Sequence, residues 1–150
     1  MIGSRLILLV EDNPDDAELT VRGFEQSKMV SQIVVVPDGE QALDYLFATG
    51  RYADRDPKTM PDVVLLDLNL PKIDGLGVLH RMRFDSRTRR LPVVVLTSSI
   101  EESDIVSSYD LGANSFVQKP VDFARFLNAA RQLGMYWLDL NEAPPCAGRI

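Results

Sequence analysis

Val63-Val64-Leu65-Leu66-Asp67-Leu68-Asn69-Leu70-Pro71 is the stretch whose reading decides the fold. An unbroken aliphatic run ends on a carboxylate, followed by an amide at Asn69 and a proline at Pro71. Strands covered on both faces read as continuous Val/Leu/Ile runs, so this stretch predicts the central strand of a parallel sheet. Asp67 then stands at the carboxyl edge, where open α/β sheets bind their ligands. An acid there can also do no more than cap a turn. The other strand ends decide between the two.

Outward toward the N-terminus, Arg5 to Val10 reads as a first buried strand that stops on Glu11-Asp12. Asn13 offers a helix N-cap, Pro14 suits the first helical position, and Asp15 and Asp16 favour the positive end of the helix dipole. Helix one is expected to run to about Lys28, with Ala17, Val21 and Phe24 on its apolar stripe. Ile33 to Val36 is a second strand. After the break at Pro37-Asp38-Gly39, helix two turns Ala42, Leu43, Leu46 and Phe47 inward and ends by Gly50. The polar segment 51–61 is longer than a minimal helix-to-strand connection and reads as a solvated insertion or a partner-contact loop.

Toward the C-terminus, residues 71–75 carry turn chemistry, and helix three spans about Leu76 to Phe84. His80 on that helix reads as structural or surface. Pro92 to Leu96 is another β-branched run, ending on Thr97-Ser98-Ser99. Ser99 with Glu102 forms a capping-box signature for helix four, which ends near Gly112. Asn114 to Gln118, shorter and more polar, suits a sheet edge and closes on Lys119-Pro120. The last helix spans about Asp122 to Leu140, with Phe123, Phe126, Leu127, Ala130, Leu133 and Trp137 at helical spacing. Residues 1–140 are thus expected to form a single domain, with 141–150 as an irregular tail that holds the sole cysteine, Cys146.

Strands alternating with helices across short connections imply right-handed crossovers and a parallel sheet with helices on both faces. The expected fold class is α/β, a doubly wound (βα)5 chain with strand order 2-1-3-4-5. At 150 residues the chain is long enough to bury a core. A net charge of −6 argues against nucleic acid as a direct partner. One cysteine excludes an internal disulfide framework, and the run Leu6 to Val10 is too short to span a membrane or form a signal-peptide core. The composition therefore reads as a soluble, cytoplasmic protein.

In the expected strand order, Glu11-Asp12, Asp67, Thr97-Ser98 and Lys119 meet at one edge. Each has a plainer reading: a capping acid, a turn hydroxyl, a solvated lysine. Their coincidence at the correct edge favours a site. Three neighbouring carboxylates need a compensating charge or raised pKa values. Because the donors are all oxygens, a hard divalent cation such as Mg²⁺ fits best. Lys119 adds a point charge and Thr97 a hydroxyl, a set suited to phosphoryl transfer with Asp67 as nucleophile.

With Glu11-Asp12, LLDLNLP around Asp67, VVVLTSS around Thr97 and Lys119-Pro120 in place, the chain resembles a receiver domain of two-component response regulators over residues 5 to 140. The resemblance implies that Asp67 accepts a phosphoryl group from a phosphohistidine on a sensor histidine kinase or phosphotransfer protein. It implies Mg²⁺ on Asp12, Asp67 and the backbone carbonyl of Asn69, with Glu11 acting through water. Thr97 and Lys119 hold the phosphoryl oxygens, and small Ser98 leaves room for the incoming group. A cis bond is the usual form before Pro120, and Phe116 is the aromatic expected to turn inward on phosphorylation. Asn69 and Ser99 lie where the family tunes phosphate lifetime.

The chain also resembles small stand-alone regulators serving phytochrome-type kinases. From that likeness we expect a homodimer through the helix 4–strand 5–helix 5 face, with Ile105, Tyr109, Phe126 and Tyr136 as its apolar surface. No output domain is expected, so output is by binding. Catalysis is limited to self-phosphorylation and self-dephosphorylation.

Three other readings stand beside it. A phosphoaspartate hydrolase would want an acid where Asn69 stands. A flavodoxin-like cofactor binder would want glycines and hydroxyls in place of Glu11 to Asp16. A phosphate-independent adaptor would keep the pocket unused.

Overall fold

Buried aliphatic runs set the architecture. The computed structural model describes residues 5–28 and 32–145; Cys146 and the tail beyond Pro145 lie outside the described residues. Strands β1 (Leu6–Val10), β2 (Gln32–Val36), β3 (Val63–Leu66), β4 (Val93–Thr97) and β5 (Ser115–Gln118) form one sheet in the order β2-β1-β3-β4-β5. All its pairings are parallel, and β1, β3 and β4 are buried throughout. The helices between and after them are α1 (Pro14–Ser27), α2 (Gly39–Phe47), α3 (Gly75–Phe84), α4 (Glu102–Asp110) and α5 (Phe123–Met135).

The pleat divides each central strand between two cores. Leu8, Val10, Val64, Leu66, Val93 and Val95 join Leu46 of α2 and Leu79 of α3 on one face. Ile7, Leu9, Val63, Leu65 and Val94 join Phe24 of α1 and Ala130 of α5 on the other. Helices α1 and α5 approach closely at Gly23. A Cβ there would collide with Ala130 Cβ and stand 2.8 Å from the Leu127 carbonyl oxygen.

Aspartates and an asparagine start four of the helices. Asn13, Asp38, Asp74 and Asp122 each accept a backbone N–H from the first turn. The expected capping box of helix four does not form. Glu101 is the N-cap and makes no side-chain cap bond, while the Ser99 hydroxyl turns to Asp104 Oδ2 at 2.5 Å. An acid one turn into the helix has taken the hydroxyl that the box would use.

The last helix differs from expectation too. It is α-helical only to Met135, and Tyr136–Leu140 continues as a π-helical turn that buries Leu138. Phe126 is core, 3% exposed, so it drops out of the expected dimer surface; Tyr109 and Tyr136 remain half exposed. No peptide bond among the described residues is cis, so Lys119–Pro120 departs from the family expectation.

Segment 51–61 is largely exposed, and it is fastened at Tyr52, Arg55 and Met60. The guanidinium of Arg55 donates to the Tyr45 and Leu46 carbonyls at the end of α2 and lies over the Tyr45 ring at 4.4 Å. Tyr52 meets Tyr45 edge-on at 5.2 Å, and Met60 packs against the core. His80 is exposed and lies beside the Phe84 ring. No helix among the described residues is long and apolar enough to cross a membrane.

Candidate functional site

Ladder hydrogen bonds carry the strand ends to one edge. The Glu11 N–H donates to the Val36 carbonyl, the Asp67 N–H to the Val10 carbonyl, and the Lys119 N–H to the Thr97 carbonyl, at 2.8–3.1 Å. These bonds extend the sheet by one residue at each strand. Four sequence-predicted residues, Glu11, Asp67, Thr97 and Lys119, are thereby buried side by side. The approach of α3 to this edge is equally tight. A Cβ on Gly75 would strike the Asp67 carbonyl oxygen and lie 2.7 Å from Leu68 Cα, so only glycine admits the helix start here.

At the centre is the Lys119 ammonium. Its Nζ lies 2.6 Å from Glu11 Oε1, 2.9 Å from Asp67 Oδ2 and 2.9 Å from Asp16 Oδ2. The other oxygens face the adjoining turns. Asp67 Oδ1 accepts the Asn69 N–H at 3.2 Å, and Glu11 Oε2 accepts the Asn13 N–H at 3.2 Å.

Asp12 is exposed, yet its carboxylate, with those of Glu11 and Asp67, forms a group whose oxygens lie within 4.8 Å of one another. An all-oxygen acid set of this size suits a hard divalent cation, so the donor chemistry fits a metal ion. Asn69 and Ser98 stand exposed on the rim. Phe116 is half buried against the α2–α3 core, in register with Val95.

Burial and charge push the two buried acids apart. Burial raises Glu11 to about 7, and Lys119 only partly offsets this. Burial would raise Asp67 as well, but the hydrogen bond and charge of Lys119, with the Thr97 hydroxyl and the Asn69 N–H, bring it below the usual carboxylate range. Burial opposes the Lys119 charge, and the three carboxylates outweigh it, so its pKa is raised. Near neutral pH the strand therefore presents an ionised Asp67 carboxylate beside a permanent cation. A carboxylate so placed can act as a nucleophile, with charge stabilisation next to it.

Asp16 is the member that sequence reading missed, having given it only a helix-dipole role. Helical side chains lean toward their own N-terminus. An acid in the first turn after Glu11-Asp12 therefore leans back toward the strand end, and that was the available signal. A groove at the opposite edge, lined by Arg5, Asp62, Pro92 and Trp137, gathers no comparable buried cluster among the described residues.

Comparison with known proteins places the chain in a family. The family described as "Response regulator receiver domain" matches residues 7–131. The probable methanogenesis regulatory protein FilR2 of Methanothrix harundinacea is 40% identical over 139 residues, covering 93% of this chain and 87% of FilR2. The response regulator Rcp1 of Synechocystis is 34% identical over 140 residues, 93% of each chain. Its Mn²⁺-bound crystal structure matches with a TM-score of 0.87 at 33% identity, covering 94% of this chain and 99% of that one. The phosphorylated cyanobacterial phytochrome response regulator RcpA matches with a TM-score of 0.89 at 38% identity, covering 95% of this chain and all of that one.

Proposed function

From the premise that the chain belongs to the response regulator receiver domain family, we propose that Asp67 is its phosphoacceptor. The donor is a phosphohistidine on a sensor histidine kinase, of phytochrome type by likeness to RcpA, or on a phosphotransfer protein. An Asp67 carboxylate oxygen forms the new bond to phosphorus as the phosphorus–nitrogen bond to the donor imidazole breaks. The imidazole leaves with the electron pair. One observation carries this reading: Asp67 is buried at the end of the central strand, ionised, with Lys119 Nζ at 2.9 Å.

Asp12, Asp67 and the Asn69 carbonyl would hold Mg²⁺, with Glu11 acting through water. When bound, the ion neutralises charge on the phosphoryl oxygens and orients them. The Thr97 hydroxyl and the Lys119 ammonium donate to those oxygens, and Ser98 leaves the approach open. Phosphorylation draws Thr97 inward and lets Phe116 follow, converting a local charge event into a change of surface. That surface is the α4–β5–α5 face with Tyr109 and Tyr136, and its consequence is a homodimer. Residues 1–140 act as a single cytoplasmic receiver with 141–150 as its tail. Its chemistry is limited to gaining and losing its own phosphoryl group.

Intact-protein mass after incubation with acetyl phosphate and Mg²⁺ tests the reading. Wild type should gain about 80 Da, one phosphoryl group, and Asp67→Asn should gain nothing. An adduct of equal yield in both proteins would remove Asp67 as the acceptor.

A further inference from the structure

A lysine ammonium has three N–H donors and no more. In this protein Glu11, Asp67 and Asp16 take all three, and Nζ is buried among them. Two of the three acceptors belong to the oxygen group able to hold a metal ion, which consists of Glu11, Asp12 and Asp67. Asp16 does not belong to it. For Lys119 to reach a phosphoryl oxygen it must release at least one carboxylate, and the two with competing claims are Glu11 and Asp67.

We propose that Asp16 is a positioning residue for phosphoryl transfer: it stays on Lys119 while Glu11 and Asp67 turn to the metal and the phosphoryl group. Asp16 thus fixes where the ammonium stands. The inference rests on the reading of Asp67 as acceptor and adds a residue to it.

Asp16 is built for a standing contact. It occupies the third position of α1, where its own N–H is held by Asn13 Oδ1 at 3.0 Å and its carbonyl accepts the Thr20 hydroxyl at 2.8 Å. The helix carrying it is pressed against α5 through Gly23, so its backbone has little room to shift. The Asp16 side chain is 24% exposed, reaching from the surface into a buried cluster 103 residues away in sequence. Asp15 beside it is exposed and makes no ion pair with Lys119. It provides a control of equal charge.

The test compares wild type, Asp16→Ala, Asp16→Glu and Asp15→Ala by two readouts. The first is acetylation of Lys119 by an amine-reactive ester, mapped by peptide mass with and without Mg²⁺. The second is the rate of Asp67 phosphorylation by acetyl phosphate. Wild type and Asp15→Ala should keep Lys119 protected in both conditions. In Asp16→Ala, Lys119 should stay protected without Mg²⁺, held by Glu11 and Asp67, and become about tenfold more reactive with it, the scale of one lost charge-assisted hydrogen bond. Phosphorylation should slow by about the same factor, and Asp16→Glu should recover part of the loss.

Equal labelling of Asp16→Ala and wild type in Mg²⁺ would overturn the proposal. So would labelling of Asp16→Ala that rises equally without Mg²⁺, since that marks a loosened fold. If wild type itself gains no phosphoryl group on Asp67, the acceptor reading fails first and the inference falls with it.

Discussion

Lys119 is buried and Arg83 half-buried, and the two cations are held in opposite ways. Lys119 is held by carboxylates of Glu11, Asp67 and Asp16. Arg83, at the end of α3, is held almost entirely by backbone carbonyls. It donates to Gly112 O at 3.1 and 2.8 Å, to Thr88 O at 3.3 Å, to Arg89 O at 3.0 Å and to Asn114 Oδ1 at 3.2 Å. Those bonds join α3 to the 85–91 turn and to the loop before β5. Asn114 Oδ1 also accepts the Val93 N–H at 2.8 Å, which ties in the start of β4.

The acceptors determine what each cation can do. The carbonyls on Arg83 belong to the 85–91 turn and the loop before β5, so the guanidinium cannot leave them without those segments losing their tie to α3. Carboxylates can exchange an ammonium for a metal ion or become an acyl phosphate. The planar guanidinium fork suits the static joint and the compact ammonium suits the movable one. A cation held by carbonyls is a staple; one held by carboxylates can switch.

The largest break in this contrast comes from the staple. Arg83→Met keeps the stem but takes the donors from the Arg89 and Gly112 carbonyls, while Thr88 O keeps the Leu91 N–H, and it should destabilise the protein by about 2–4 kcal/mol. Urea unfolding measures that loss. Phosphorylation of Asp67 under folded conditions should persist, because none of the Arg83 contacts reaches the carboxylate cluster. Loss of phosphorylation without loss of stability would show that the two cations are coupled.

A smaller effect sharpens the other side. Glu11 titrates near 7 in the folded chain against 4.5 as its ordinary value. Between those values the folded chain holds a proton that the unfolded chain has released. Stability from Glu11 is therefore full below about 4.5 and is lost as pH rises toward 7. Without divalent metal, wild type should lose on the order of 1 kcal/mol across that window, and Glu11→Gln should flatten the slope. Urea midpoints at pH 5 and 7 check it. A wild-type slope unchanged by the substitution would mean that Lys119 keeps Glu11 ionised throughout.

The contrast also marks what sequence could reveal. Continuous runs such as Val63 to Leu66 announce strands covered on both faces, and the residues that follow them name the edge, so Glu11, Asp67, Thr97 and Lys119 are legible in the sequence. Asp16 was legible only as a helix-start acid. Its partner is 103 residues away, and periodicity carries no information on such pairings. Arg83 was invisible for a different reason: its acceptors are main-chain carbonyls, which every sequence has. Phe126 read both as part of the last helix's apolar stripe and as dimer surface, and only the packing of α5 decides between them.

The central claim is that Lys119 changes partners while Arg83 does not. A crystal structure of the protein with Mg²⁺ and beryllofluoride, the phosphoryl mimic, tests it most directly. The account predicts the mimic on Asp67, Lys119 Nζ on a fluoride and on Asp16, and the Arg83 contacts unchanged. Lys119 still bound to both Glu11 and Asp67, with the mimic on Asp67 and no contact to the ammonium, would contradict it.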